Sequence, residues 1–192
     1  MYIRLELTGT SPLLCHNIAL ADPENPFTRE IASYTAKRKK TDDDRREVGR
    51  LEWFGGLYRD ANGAAPVMPT ANIRKSVINA GTITRQGKQV ERALSFDEMH
   101  APIAHSGPAD LNALHADPAF TDRAAVGISG KRVMRVRPKF PTWALVASAH
   151  LLPEVMDVDE FVRVAERAGK AIGIGDNRVN GFGRFSINVI PV

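Results

Sequence analysis

The chain has 192 residues, 43% of them hydrophobic and 25% charged, with 26 Lys and Arg against 22 Asp and Glu for a net charge of +4 and a pI near 9.4. This composition excludes the disordered, collagen-like and fibrous classes, and a chain of this length forms one domain that buries roughly 70% of its unfolded surface. A lone cysteine, Cys15, excludes a disulfide framework and fits a reducing compartment. The opening Met1-Tyr-Ile-Arg-Leu-Glu has no apolar signal segment, and no apolar run approaches the roughly 18 residues of a membrane span, so the expectation is a cytoplasmic protein with no membrane partner.

Residues 2–8 alternate, with Ile3, Leu5 and Leu7 on one side and Tyr2, Arg4, Glu6 and Thr8 on the other, the pattern of a half-buried strand ended by Gly9. Thr10 to Asn25 reads as a loop broken by Pro12, Asn17 and Pro23. Pro26 to Lys40 reads as a helix with a basic end, Lys37 to Lys40. Thr41 caps a second helix whose first turn, Asp42 to Asp44, suits the positive end of the helix dipole. Leu51, Phe54 and Tyr58 follow at helical spacing, and Asn62-Gly63 is a turn. Pro69-Thr70 opens a helix that turns Ile73, Val77 and Ile78 inward, carries Arg74 and Lys75 on its other side and is closed by Gly81. From Thr82 to Gly130 periodic runs are few and prolines interrupt them, which predicts a long insertion with short helices.

Lys131 to Lys139 is a strand, and Trp143 to Leu152 a second, more apolar one joined to it through Pro138 to Thr142. Asp157 and Glu160 have capping-box spacing and head a helix striped with Val158, Phe161, Val162, Ala165 and Ala168. A glycine-rich loop then leads to a last strand, Phe185 to Ile190. The order strand, helix, strand, strand, helix, strand is βαββαβ. The expected fold class is α+β, a ferredoxin-like or RRM-like antiparallel sheet of four strands with two helices on one face. The other face is free to bind. The expected organisation is a single domain over residues 1–192 with insertions at about 18–60 and 84–128.

The sharpest local feature is the loop Gly173-Ile-Gly175-Asp-Asn-Arg178-Val-Asn-Gly181-Phe-Gly183-Arg184. Paired glycines mark backbone at positive φ or in close approach to other backbone. The dinucleotide fingerprint requires a glycine where Arg178 stands, and no phosphate-binding P-loop occurs, so nucleotide hydrolysis has no support. Glycine-x-glycine, a five-residue gap, then glycine-x-glycine-arginine before the last strand resembles the C-terminal signature of the RAMP superfamily, the RNA-binding proteins of CRISPR effector and crRNA-processing complexes. Leu7-Thr-Gly-Thr-Ser-Pro-Leu-Leu resembles the end of the first strand in that family, and Pro66-Val-Met-Pro-Thr-Ala-Asn-Ile-Arg-Lys-Ser-Val the opening of its first helix. The resemblance is greatest to the backbone subunits that coat guide RNA. It implies an RRM-like core, a role in antiviral defence, single-stranded RNA as ligand (DNA being the alternative), and further copies of the chain or other effector subunits as partners. It also implies that Gly173, Gly175, Arg178, Gly181, Gly183 and Arg184 lie near the RNA and that Arg74 and Lys75 sit on the helix beside it.

A separate physical reading concerns Lys131, Arg135, Arg137 and Lys139. Alternate strand residues point the same way about 6.5–7 Å apart, near the phosphate spacing of an extended single strand. Phe140 and Trp143 stand at the end of this stripe, where rings stack on bases; for Trp143 the core is the expected place. A second basic cluster, Lys37 to Lys40 with Arg45 and Arg46, is offset by Asp42 to Asp44.

Enzymatic alternatives rest on single residues. His16 follows the first strand, where processing RAMP endoribonucleases carry a general-base histidine, and Asp22 stands where some target-cleaving backbone subunits place a metal-associated aspartate. No zinc-binding spacing occurs among the five histidines and Cys15, and no cofactor is called for. A non-enzymatic single-strand nucleic-acid-binding subunit is the leading expectation. The alternatives are a repeat-RNA endoribonuclease and a decoy that docks to a CRISPR complex.

Overall fold

The computed structural model describes residues 1–128 and 130–192, with Ile128 and Lys131 described by their backbone alone. In chain order its elements are β1 (Tyr2–Gly9), β2 (Leu13–Leu14), α1 (Pro26–Thr35), α2 (Asp42–Gly56), β3 (Val67–Pro69) and α3 (Thr70–Ile83). Then come α4 (Gly87–Ala93), β4 (Leu94–Phe96), β5 (His100–Pro102), β6 (Ala104–His105), α5 (Leu111–Ala116) and β7 (Thr121–Ile128). The last four are β8 (Lys131–Phe140), β9 (Trp143–Leu151), α6 (Val158–Arg167) and β10 (Phe185–Pro191). They gather into two units. The first comprises Met1–Leu13, Arg59–Ser106 and Pro141–Val192, the second Leu14–Tyr58 and Gly107–Phe140.

The first unit is built on an antiparallel sheet of order β10-β1-β9-β4, with β6 also paired to β9. Alternation does its work here: Ile3, Leu5 and Leu7 of β1 and Leu145, Ala147 and Ala149 of β9 are buried together, in the register Ile3↔Ala149, Leu5↔Ala147 and Leu7↔Leu145. The intervening Tyr2, Arg4, Thr8, Val146 and Ser148 are exposed. Taken in sequence, β1, α3, β4, β9, α6 and β10 give the βαββαβ order, and the class is α+β.

The second strand of that order is Leu94–Phe96, not 131–139. Three residues are too few to show a period of two, whereas residues 131–140 find their partner immediately upstream in β7 and belong to the other unit's sheet. Helix α3 also runs through Gly81 to Ile83. A side chain at Gly81 would meet Val90 and the backbone of Gly87, so the glycine there serves the close approach of α3 and α4 rather than a helix end. Helix α6 starts at Asp157 as its spacing predicts, the carboxylate accepting from the Asp159 and Glu160 amides, and it buries Phe161, Val164 and Ala165. Trp143 lies in the core, its Nε1 donating to the Ser11 carbonyl at 2.8 Å.

The second unit has a three-stranded sheet of order β2-β8-β7, and the β7–β8 hairpin is in register from Thr121↔Pro138 to Ile128↔Lys131. Helix α2 buries Leu51, Trp53 and Phe54, and Trp53 Nε1 donates to the Phe120 carbonyl at 3.0 Å. Its start is a full capping box: Thr41 Oγ1 accepts from the Asp44 amide and the Asp44 carboxylate accepts from the Thr41 amide. Lys37 donates to the same carboxylate at 2.5 Å. This hydrogen bond first, then those from Thr41, hold the Asp44 pKa down at about 2.

A carboxylate whose folded pKa is depressed stabilises the fold fully above its unfolded value of 3.8, and that contribution is lost as the pH falls through about 2. Lys37→Ala is therefore expected to lower the thermal midpoint at pH 7, with the difference from wild type closing by pH 2. Thermal melts of both proteins across that range check it.

Candidate nucleic-acid interface

Residues 121–140 hold six basic side chains, Arg123, Lys131, Arg132, Arg135, Arg137 and Lys139, against one acid, Asp122. The hairpin register assigns them to two faces. Asp122, Ala124, Val126, Val133, Arg135 and Arg137 share one; Arg123, Ala125, Gly127, Arg132, Met134 and Val136 share the other. Arg123, Arg132, Val133 and Met134 are exposed. Nearer the base of the strand the cations meet carboxylates. Glu52, buried on α2, accepts from Arg135 Nη1 at 2.7 Å through one oxygen and from the Val136 amide at 2.9 Å through the other. Arg137 is buried opposite Asp122, with 3.6 Å between guanidinium and carboxylate. Lys139 is half-buried on the same strand, and the side chain of Lys131 lies outside the described residues. Phe140 is fully buried and Trp143 nearly so, hence neither ring is available to stack on a base. Each sits on the core-facing side of its strand, where apolar area outweighs any gain from solvent exposure.

A basic pocket at the root of this hairpin has no counterpart in the sequence reading. Arg46 and Arg50 on α2, His115 on α5, and Thr121 and Arg123 on β7 line about 500 Å³ within the second unit. The guanidinium of Arg123 lies against Gly49, where an added Cβ would stand 3.0 Å from its Nη2, so the missing side chain makes its seat. Arg50 is fixed by Glu47, which accepts from Nε at 3.0 Å and from Nη2 at 2.6 Å, and its guanidinium stands 5.6 Å from the centre of the Phe54 ring. Burial pushes the His115 imidazole below its usual pKa, and the positive charge of Arg50 adds to this while Glu47 opposes it. The only sequence trace of the pocket is the spacing of Arg46, Gly49 and Arg50 on one helical face, which the neighbouring acids mask.

The first unit places the glycine loop and the α3 cations. Arg74 donates from Nε to the Leu94 carbonyl at 3.1 Å and from Nη2 to the Glu91 carbonyl at 2.5 Å, tying the end of α4 to β4, while Lys75 is exposed. Gly173, Gly175, Gly181 and Gly183 all have positive φ. Gly183 runs against the backbone of Ile174 so closely that an added Cβ would lie 1.8 Å from the Ile174 carbonyl oxygen; the Ile174 amide donates to the Gly183 carbonyl at 2.9 Å. Arg184 donates to the carbonyls of Ile172 and Arg178, and its amide donates to Ser11 Oγ at 2.8 Å. The geometry of Gly183 and Arg184 is thus that of a backbone crossing. Arg178 and the 92%-exposed Val179 stand at the outer turn. In the second unit, His16 is exposed with its carbonyl accepting from the Tyr58 hydroxyl at 3.3 Å, and the Asp22 carboxylate accepts from the Glu24 amide at 2.9 Å. Among the described residues no group of three or more His, Cys, Asp or Glu is placed to hold a metal ion, and no helix is long and apolar enough to cross a membrane.

No family model and no curated protein matches the sequence. Solved structures do. A chain of the type III-B Cmr-beta bound to cognate target RNA is similar over 98% of this chain and 60% of its own length, with a TM-score of 0.54 and 12% identity. The chain shares the fold of that Cmr-beta chain. The chain thus spans 60% of the length of that structure's chain. The crystal structure of Cmr4 is similar with a TM-score of 0.46 and 9% identity, covering all of both chains. That of Cmr6 from Pyrococcus furiosus has a TM-score of 0.36 and 10% identity over 97% of each.

Two variants separate crossing from turn in the RAMP-like glycine loop. Gly183→Ala is expected to cost about 3 kcal/mol or more, because strain at positive φ adds to a backbone collision. Gly181→Ala, with positive φ but nothing within 4 Å of the new Cβ, is expected to cost about 1 kcal/mol. In the second unit, Glu52→Ala is expected to cost about 2 kcal/mol by leaving Arg135 and the Val136 amide without their acceptor. Urea melts measure all three, and faster hydrogen exchange at the Val136 amide localises the last.

Proposed function

We propose that the protein is a sequence-tolerant, single-stranded RNA-binding subunit of a CRISPR type III or related RAMP ribonucleoprotein, assembling with other effector subunits or with copies of itself. The observation that carries this reading is the hairpin of the second unit, whose exposed part presents Arg132 and Met134 on one face and Val133 on the other. Exposed guanidiniums neutralise phosphates and release their counterions, which gives affinity without reading sequence. Met134, on the same face as Arg132, offers apolar surface to an unstacked base of any identity. The RAMP-like fold supports the same reading, and the similar Cmr-beta was solved with target RNA bound.

Lys139 on the hairpin, and Lys75 and Arg178 on the first unit, are the further cations of the proposed contact set. Arg135 and Arg137 contribute through the Glu52 and Asp122 pairs, which hold the strand that displays Arg132.

Fluorescence anisotropy with unstructured RNA and DNA oligonucleotides over a salt series tests the reading. The expected result is a linear fall of log affinity with log salt, and a slope reduced by about 1 in Arg132→Ala, uniformly across sequences. Absence of binding at low salt, or a flat salt response, overturns it.

A further inference from the structure

We propose that the pocket formed by α2, α5 and the root of the β7–β8 hairpin is a binding site for the phosphate ester group of a nucleotide. Three guanidiniums and an imidazole converge there: Arg46 and Arg50 from one helix face, Arg123 from the facing strand, and His115 from α5. The lining comes from three elements of the same unit, α2, α5 and β7, so its cations belong to more than one wall of the pocket. That arrangement suits a tetrahedral oxyanion, whose several oxygens take separate donors, better than a planar carboxylate, which is satisfied by one guanidinium fork.

Three of the four groups are held in place before any ligand arrives. Arg50 is braced by Glu47 on two nitrogens and backed by Phe54, which leaves its Nη1 edge for an incoming acceptor. His115 is backed by Trp53 and Phe54, with ring centres 5.1 and 5.3 Å away. Arg123 rests on Gly49. Fixing donors in advance lowers the ordering cost of binding.

The acids nearby do not cancel the site. Glu47 is occupied by Arg50, and Arg46 and Asp43, paired at 2.6 Å, are 75% and 89% exposed, so water and salt screen that pair and a phosphate can compete with the Asp43 carboxylate for Arg46. Asp43 and Glu47 pair with two of the three guanidiniums and Glu30 acts on Arg50 from farther off, so the cationic character of the site rests on Arg123. Its volume of about 500 Å³ falls within the roughly 300–1,000 Å³ typical of small-ligand sites, room for a nucleotide rather than a bare ion. Thr121 adds a hydroxyl, and Pro118 and Val136 an apolar wall for sugar or base.

The inference leans on the single-strand reading above only for the origin of the phosphate, which is either a strand's 5′ end or an internal phosphodiester; the site itself is tested without RNA. Calorimetric titration of the full chain with 5′-AMP is expected to show saturable binding, with adenosine giving none. Arg123→Ala, an exposed position that leaves the buried pairs intact, is expected to weaken AMP binding by about tenfold or more, as is Arg46→Ala. Arg45→Ala removes the same charge from α2 at a position outside the pocket and is expected to change nothing. No heat with AMP at millimolar concentration, equal binding of adenosine, or equal weakening by Arg45→Ala overturns the site. Oligonucleotides with and without a 5′ phosphate then identify the source: tighter binding of the phosphorylated strand that Arg123→Ala abolishes assigns the 5′ end, and equal binding that Arg123→Ala weakens assigns the internal phosphodiester. AMP binding that survives when Arg132→Ala has lost RNA affinity shows the pocket to stand apart from the hairpin contacts.

Discussion

A buried carboxylate on a helix is the constraint on which the second unit turns. Glu52 offers its two oxygens to two different groups of one strand, a side-chain guanidinium at position 135 and a backbone amide at position 136. An isolated carboxylate buried this deeply would carry a large desolvation cost, so its position is fixed by the need to keep both partners. Because one of them is main chain, the clasp sets the height of the strand along the helix and not merely its proximity. Gly49 lies one helical turn before Glu52, and Arg50 and Arg46 follow the same helix, so this clasp also determines what faces what at the hairpin root.

The first unit rests on a constraint of another kind, the contact of backbone with backbone. Gly183 passes Ile174 and Gly169 passes Phe185 at distances that admit no Cβ. The turn of helix that continues α6 over Ala168–Ile172 ends on Gly173 at positive φ, and the chain then doubles back to start β10. The paired glycines of this RAMP-like signature are thus explained by geometry at 173 and 183, whereas Gly181 occupies an open turn. Residue conservation in such a loop and contact with a ligand are separable properties, because crossing backbones demand glycine whatever binds nearby.

The sequence made some elements plain and hid others, for physical reasons that can be assigned. Strand β1 and the N-caps at Thr41 and Asp157 each carry a periodic or local hydrogen-bonding signal and stand where that signal puts them, while α6 buries Val164 with Phe161 and Ala165 and leaves Val158 and Val162 half-buried. Strand β4 is three residues long and left no pattern, so its place in the sheet went to the much clearer run at 131–140. The partner of that run, β7, is rich in Ala, Val and Gly and looked like featureless insertion. The alternating cations of β8 were legible as a stripe, but their counter-charges come from positions 52 and 122, one of them more than eighty residues away, and no reading of local spacing reveals such pairs. The pocket at Arg46, Arg50, Arg123 and His115 was invisible for the same reason, being assembled from segments about seventy residues apart.

The registers of the first sheet have a consequence for how the chain reaches its fold. Strand β1 is bonded on one side to β9 and on the other to β10, so that Ile3 lies opposite both Ala149 and Pro191. Nearly the full length of the polypeptide separates these partners, and the chain passes back and forth between the two units four times, at 13/14, 58/59, 106/107 and 140/141. Contacts this remote in sequence require the closure of long loops before they return any energy, which slows the search for the native state. During synthesis the α2 capping box and the β7–β8 hairpin, both local, can form as soon as they leave the ribosome, but β1 must wait as an unpaired apolar strand until its neighbours are made. The slow step of folding is therefore expected to be closure of the central sheet, and the N-terminal strand to be the part of the nascent chain that most needs shelter.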